Sequence, residues 1–337
     1  MNRKSELVLI LCVALGASSV LSHAAIRWLK IKATWGGQKH YGPPELKASA
    51  VLHGSSPAYD GIDWSRVSGS LGKAIESWAT AGSSPSEWER MDRNSGEMTT
   101  TFIGITAGDL NEYVLCDFRP EIVPLGQTLS DLRKCRSDWQ FAKRMLDQYG
   151  AMYVRKLFPT VGRSDGVMVG IRAKVQRLMG RKSDAGETPM LGETESSEVE
   201  ETVSDWSVAR KQRRLVLLRS ACLGKCLFSG PKRMALERLL QRAQSRGSVV
   251  LIVLPLPPIY RSALIPPTAA QAFEAELADL GRLFPGMKLV RLDAIPALES
   301  DKFFYDYVHL NKFGQQIATT ALLDQLTRQG TTQAARD

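Results

Sequence analysis

The sequence predicts an α/β protein, a three-layer α/β/α sandwich built on a parallel sheet. Two observations carry this. The last third of the chain alternates strand-like and helix-like segments, an order that lays helices over a parallel sheet. Within it, Val249 to Leu254 is a continuous apolar run, as expected of a strand buried on both faces. A chain of 337 residues that is 44% hydrophobic and 23% charged is long enough to bury a core and too apolar for wholesale disorder.

The elements follow in order. Arg3 and Lys4 precede an apolar run from Leu7 to Leu21, and Ser22-His23-Ala24 has the small-residue spacing of a signal cleavage site. The run is short against the roughly 20 apolar residues of a spanning helix. Residues 1–26 are therefore expected to be a single-pass signal anchor or a cleaved signal peptide, with the body of the protein exported and either membrane-held or secreted. Residues 27–48 read as a connector. Ala50-Val51-Leu52-His53 is a short strand that runs into Gly54-Ser55-Ser56. Trp64 to Trp78 has helical spacing through Val67, Leu71 and Ile75. Ser84-Pro85-Ser86-Glu87 reads as a helix start, and Thr99 to Thr106 as a second strand. Residues 126–158 are expected to be an amphipathic helix and 181–204 a flexible acidic insertion. Helices are expected over 236–244, 271–284 and 312–328, with a strand at 288–292 and a short tail at 329–337.

Formal net charge is +9. A basic balance suits nucleic acid, an anionic surface or an acidic polymer. No zinc-finger spacing and no RNA-binding motif accompanies it, so nucleic acid is not expected as a partner. The basic segment from Arg210 to Arg246 has helical periodicity and reads as a solvated helix face, with an anionic polymer or lipid headgroup as the sharper alternative. Five cysteines are present. Cys12 lies in the apolar run. Cys116, Cys135, Cys222 and Cys226 suit either two disulfides in an oxidising compartment or four thiols. Asp109, Glu112 and Asp117 have no calcium-loop spacing, so no metal is expected there, and Asp109 and Glu112 are expected to face solvent or to position Asn111.

The chemistry concentrates at the two ends of the α/β region. In Asp306-Tyr307-Val308-His309, an acid three residues before a histidine can accept a bond from one ring nitrogen. That fixes the tautomer and leaves the other nitrogen as a base. The pair follows the last strand, and loops at the carboxyl ends of parallel strands are where active sites sit. A base needs a nucleophile. Ser56 follows the first strand directly, in a turn that Gly54 permits, and an imidazole can activate a serine hydroxyl.

Gly54-Ser55-Ser56, extended by Pro57-Ala58-Tyr59-Asp60-Gly61-Ile62-Asp63, resembles the first block of the SGNH (GDSL-like) hydrolases, in the form found in their membrane-linked relatives. Those relatives include polysaccharide acetylation proteins and the D-alanyl transfer protein of teichoic-acid systems. Asp306 to Asn311 with Gly314 resembles the family's terminal Asp-x-x-His block. The resemblance covers roughly residues 50–327, mostly as spacing. It implies a flavodoxin-like sandwich, Ser56 as nucleophile, His309 as base and Asp306 as its orienting acid. It also implies an oxyanion hole made of the Ser56 amide, a glycine and an asparagine, each donor worth about 3–4 kcal/mol in the transition state. Gly82 fits the glycine. The family's usual Gly-x-Asn-Asp is replaced by Gly104-Ile105-Thr106, leaving Asn111 as the expected amide and Thr106 as its alternative.

The function implied is a serine esterase or O-acyltransferase acting without a cofactor on an exported ester. The substrate class is O-acetyl groups of an envelope or extracellular polysaccharide, with a lipid ester as the alternative enzyme reading. The rival is a non-catalytic assembly protein of a polysaccharide or envelope machine. A hydrogen bond between Ser56 and His309, with a cavity above it, argues against that rival.

Overall fold

The computed structural model describes residues 3–28, 39–43, 45–93, 98–114, 201–222 and 224–333, together with isolated positions between 126 and 158. The chain divides into two compact units. One holds Met1–Thr34, Phe118–Leu132 and Arg136–Glu198; the other holds Trp35–Asp117, Arg133–Cys135 and Val199–Asp337.

The first unit contains helix α1 (Arg3–Trp28), which spans the expected signal segment. Among the described residues, no helix is long and apolar enough to cross a membrane. Most of the helix expected at 126–158, and the acidic insertion up to residue 200, lie outside the described residues.

The second unit is built on a six-stranded sheet. Its strands are β1 (Lys39–Tyr41), β2 (Ala50–Gly54), β3 (Ile75–Ser77), β4 (Thr100–Ile105), β5 (Ser248–Val253) and β6 (Met287–Arg291), in the order β1-β3-β2-β4-β5-β6. β1 pairs antiparallel to β3, and every other pairing is parallel. The parallel strands thus run outward in both directions from β2 and β4, so the chain changes direction between those two. A crevice at the carboxyl ends of strands opens at such a switch point.

The run at 249–254 is apolar throughout because the strand has two buried faces. Val250, Ile252 and Leu254 join one core with Leu52, Phe102, Trp64, Tyr307 and Leu322. Val249, Leu251 and Val253 join the other with Ile103, Trp88, Leu236, Leu240 and Phe273. Helices α3 (Trp64–Leu71) and α10 (Lys312–Gln333) cover the first face. Helices α4 (Pro85–Asp92), α7 (Pro231–Arg246) and α9 (Pro267–Leu283) cover the second. The remaining helices, α2 (Ser56–Asp60), α5 (Ala107–Leu110), α6 (Val208–Ala221) and α8 (Pro258–Leu264), lie on connections between these elements.

Four expectations are corrected. The helix read across 64–78 stops at Leu71, where Gly72 takes a left-handed conformation (φ 61°), and Ile75 begins β3. The connector at 27–48 contributes edge strand β1. The carboxyl end of the 181–204 insertion is ordered: Val203 is fully buried and its amide donates to the Phe304 carbonyl at 2.8 Å. The basic segment is helical, but α7 is not simply solvated. Arg238 and Arg242 bond Glu89, and Arg242 and Arg246 bond Asp92, both acids being buried on α4. Lys232 and Arg233 are buried as well, Lys232 on the carbonyls of Asn111 and Val114 and Arg233 among Glu237, Glu276 and Asp279.

Cys222 and Cys226 are thiols, not a disulfide; their sulfurs lie near the carbonyls of Arg219 and Leu264. Cys116 and Cys135 fall outside the described residues.

Candidate active site

β2 ends at Gly54, whose φ of 156° no side chain adopts readily and whose missing Cβ would lie 2.3 Å from the Ala58 methyl and 2.9 Å from the Gly104 carbonyl. The bend lets α2 start two residues after the strand, with Pro57 in its first turn. Ser56 is thereby carried at the first position of α2, partly exposed beyond the carboxyl end of β2.

The other half of the site is a loop between β6 and α10. Phe304 and Leu310 form an isolated bridge, and Tyr305 donates from its amide to the His309 carbonyl, so residues 305–309 form a closed turn. Inside it, Asp306 Oδ1 accepts from the amides of Val308 and His309, each at 2.8 Å. The same carboxylate meets His309 Nδ1, at 2.8 Å from Oδ2 and 3.0 Å from Oδ1. Asn311 then caps α10: its Oδ1 accepts from the Gly314 amide and its Nδ2 donates to the Lys302 carbonyl. Gln315 reaches from α10 to the Asp60 carbonyl at 2.8 Å and ties this half to α2.

The halves also meet at the reactive groups. His309 Nε2 lies 2.7 Å from Ser56 Oγ across 253 positions of sequence. With Nδ1–H held by the carboxylate, Nε2 presents its lone pair to the serine hydroxyl. Burial pushes the Asp306 carboxyl up, but the His309 ring and the two backbone amides outweigh it and hold the group below the ordinary carboxylate range. Tyr305 stacks on the imidazole, ring centres 5.4 Å apart and planes within 5°, limiting its rotation.

The structure brings Ser56, Asp306 and His309 together. Gly82 is exposed in a left-handed conformation (φ 67°) on a loop fastened to the nucleophile turn. The Thr80 amide donates to the Gly54 carbonyl, and the Ser83 hydroxyl lies 3.0 Å from that same oxygen. Trp88 supports this loop through Nε1 to Ser83 Oγ at 2.7 Å. Asn111 is buried, its Nδ2 donates to the Lys225 carbonyl, and its Oδ1 accepts from the amides of Tyr113 and Leu227, so its side chain joins the 111–114 and 225–227 loops. The β2–β4 pairing ends at Gly54–Gly104, and Thr106 follows two residues later as the N-cap of α5. Its hydroxyl, however, lies 2.9 Å from Asp109 Oδ2.

Asp109 and Glu112 do not face solvent. Both are buried, Asp109 against Thr106 and Glu112 accepting from the Lys232 amide at 2.8 Å. Among the described residues no cluster of His, Cys, Asp and Glu is arranged to hold a metal ion.

Two neighbours of the triad were not singled out from the sequence. Asp60 sits four residues after Ser56, one turn along α2, where burial raises its carboxyl against the fields of His309 and Lys39. Tyr305 precedes the Asp-x-x-His block by one position; no spacing in the sequence marks it as a stacking partner. The sequence matches no protein-family model, and no curated protein is significantly similar to it.

Proposed function

We propose that the protein is a serine ester hydrolase or O-acyltransferase of the SGNH type, working through an acyl-enzyme. The observation that carries this reading is the 2.7 Å contact between His309 Nε2 and Ser56 Oγ with Asp306 on the opposite ring nitrogen. A serine hydroxyl becomes a nucleophile when a neighbouring base takes its proton, and these three side chains supply nucleophile, base and orienting acid.

The steps balance with this chain's own groups. His309 accepts the hydroxyl proton as Ser56 Oγ attacks an ester carbonyl. Charge gathers on the carbonyl oxygen, and the amides of Ser56 and Gly82 are the donors for it, each worth about 3–4 kcal/mol. Collapse expels the alcohol, which takes the proton from His309 and leaves an acyl-Ser56. Water or a sugar hydroxyl then attacks the acyl carbon as His309 takes its proton, and Ser56 Oγ leaves with that proton, so the acyl group departs on the new oxygen and the serine is regenerated. Asp306 stabilises the transient imidazolium throughout.

The substrate class we favour is an O-acetyl group on an exported polysaccharide, with a lipid ester as the alternative. The amino-terminal apolar segment and the resemblance to membrane-linked SGNH proteins support it. The same two features support a location on the exported side of a membrane. A purely structural role in an envelope machine has no need of a polarised serine, so the triad contact weighs against it.

The test is labelling of purified protein with a fluorophosphonate serine probe, with tryptic mapping of the modified residue. Labelling at Ser56 that vanishes in Ser56→Ala and His309→Ala is the expected result. Folded wild-type protein that resists the probe overturns the catalytic reading.

A further inference from the structure

The basic segment from Arg210 to Arg246 has two parts that are neutralised differently. On α7, Arg238, Arg242 and Arg246 meet the buried Glu89 and Asp92. On α6 stand Arg210, Lys211, Arg213, Arg214 and Arg219, and no acid. Some of these have partners. Arg210 pairs with the exposed Glu201 and lies over the Trp206 ring, 4.0 Å from its centre. Lys211 donates to the Ser204 carbonyl, and Arg219 to the Ala263 carbonyl. Arg213 and Arg214 are exposed, and neither makes a hydrogen bond or an ion pair among the described residues.

The outward side of the same helix is partly apolar. Leu215 and Leu218 pack inward against the core that holds Tyr307 and Leu322. Val216 and Leu217 are left on the outer side, 56% and 61% exposed. They follow Arg213 by three and four positions, so they are its neighbours on the helix surface. A face that served solubility alone needs the charge and not these two residues. A soluble polyanion meets the arginines and gains little from Val216 and Leu217. A bilayer with anionic headgroups uses both, because guanidinium groups bind phosphate in a planar fork while apolar side chains reach the acyl boundary beneath it. The face also adjoins the catalytic turn. Tyr307, between Asp306 and His309, donates to the Lys211 carbonyl at 3.0 Å, and its ring meets Trp206 edge-on with centres 5.2 Å apart.

We propose that α6 is a docking surface for an anionic lipid bilayer, with Arg213 and Arg214 at the phosphate layer and Val216 and Leu217 beneath it. The Tyr307 bond ties this surface to the turn that carries Asp306 and His309, so docking brings the triad to the headgroup region. An ester borne by a lipid, or by a glycan held at the membrane, is then within its reach. The surface itself does not depend on the reading of Ser56 as nucleophile.

The experiment is co-sedimentation of the full-length protein with vesicles of phosphatidylcholine, alone or mixed with phosphatidylglycerol, at low and at raised salt. The apolar amino-terminal segment is common to every variant and carries no preference for anionic lipid, so the quantity read is the ratio of the two binding constants. Each cation at an anionic surface is worth roughly fivefold in binding. The double variant Arg213→Gln, Arg214→Gln is therefore expected to lower the ratio by roughly 25-fold, and added salt should lower it in wild type more than in this variant. The double variant Val216→Ser, Leu217→Ser should weaken binding to the mixed vesicles by about 10-fold at either salt concentration. Thermal unfolding of both variants should match wild type, since the four side chains are exposed. A wild-type ratio near one, or a ratio that the arginine variant retains, overturns the proposal. So does full vesicle binding by the Val216 and Leu217 variant: the surface then recognises polyanions in general, and polygalacturonate should bind it through the same arginines. Fluorophosphonate labelling without vesicles should be unchanged in both double variants, and Ser56→Ala should sediment as wild type, so failure of the docking surface and failure of the catalytic reading are told apart.

Discussion

Asp306→Asn isolates the role of the acid more cleanly than deletion of the serine or histidine, because the structure dictates how the new amide must sit. Asp306 Oδ1 accepts from two backbone amides at 2.8 Å. An asparagine can keep both bonds only with its carbonyl oxygen in that position, which turns its NH2 toward His309 Nδ1, now occupied by Oδ2 at 2.8 Å. Two donors cannot face each other, so the imidazole must move its proton to Nε2. Nε2 then donates to Ser56 Oγ and has no lone pair with which to take the serine proton. The fold keeps both backbone bonds and loses one charge-assisted bond to a partly exposed ring, roughly 1.5–3 kcal/mol. The chemistry loses its base, for which the same substitution in the serine protease triad gives a fall of about 10⁴ in rate, or about 5 kcal/mol of barrier. The assay is the rate of fluorophosphonate labelling at Ser56, beside thermal unfolding of the same samples. A folded Asp306→Asn protein that labels within about tenfold of wild type would refute the tautomer argument.

Two further substitutions probe the scaffold beneath the site. Asp92→Asn breaks the buried group that joins His53 on β2 to Arg242 and Arg246 on α7. Stranding buried charge of this kind costs about 3–5 kcal/mol, which for a domain of this size is roughly 6–20 °C of melting temperature in a thermal scan; a shift under about 2 °C would show the network to be idle. Burial pushes the Asp92 carboxyl up, but the bonds from His53 and Arg246 outweigh it and depress it below its ordinary value. Its stabilisation is therefore complete above the unfolded-state value near about 4 and is lost as pH falls through the folded one. Acid titration of the melting temperature should show a steeper fall below about pH 4 in wild type than in Asp92→Asn; parallel curves would exclude this linkage. Gly54→Ala places a methyl 2.3 Å from Ala58 Cβ and 2.9 Å from the Gly104 carbonyl, so α2 must shift. Overpacking of this kind costs about 1–3 kcal/mol, and because α2 begins with Ser56, labelling should fall even in samples that remain folded. Undiminished labelling would show the close approach to be incidental to the site.

The parts of the fold that were legible in the sequence are those whose pattern is set by burial alone. β5 is apolar from Val249 onward because both faces are covered there, and the helix start at Ser84 appears as a capping box because its partners are three residues apart. What was hidden depends on geometry that composition does not record. Ile75 continues the helical spacing of Val67 and Leu71, yet it belongs to a three-residue strand, too short to show alternation; only Gly72 marks the break. β1 is short, polar and at the sheet edge, so Lys39-His40-Tyr41 carries no hydrophobic signal. The arginines of α7 read as a solvated face because Glu89 and Asp92, which neutralise them, lie about 150 residues earlier.

The same distinction divides the site. Asp306 and His309 are readable because three residues of spacing close their turn locally, and Ser56 because a glycine after a strand announces the bend. The oxyanion donors are a matter of tertiary placement, and there the sequence favoured Asn111 over Thr106 on chemical type. Chemical type is a poor guide at that point. Asn111 has the amide, but it is five positions past Thr106, beyond α5, where its side chain has two loops to hold and three bonds to hold them with. Thr106 follows the last β2–β4 pair, Gly54–Gly104, by only two residues, but its hydroxyl is held by Asp109, a local capping bond that residue type alone does not announce.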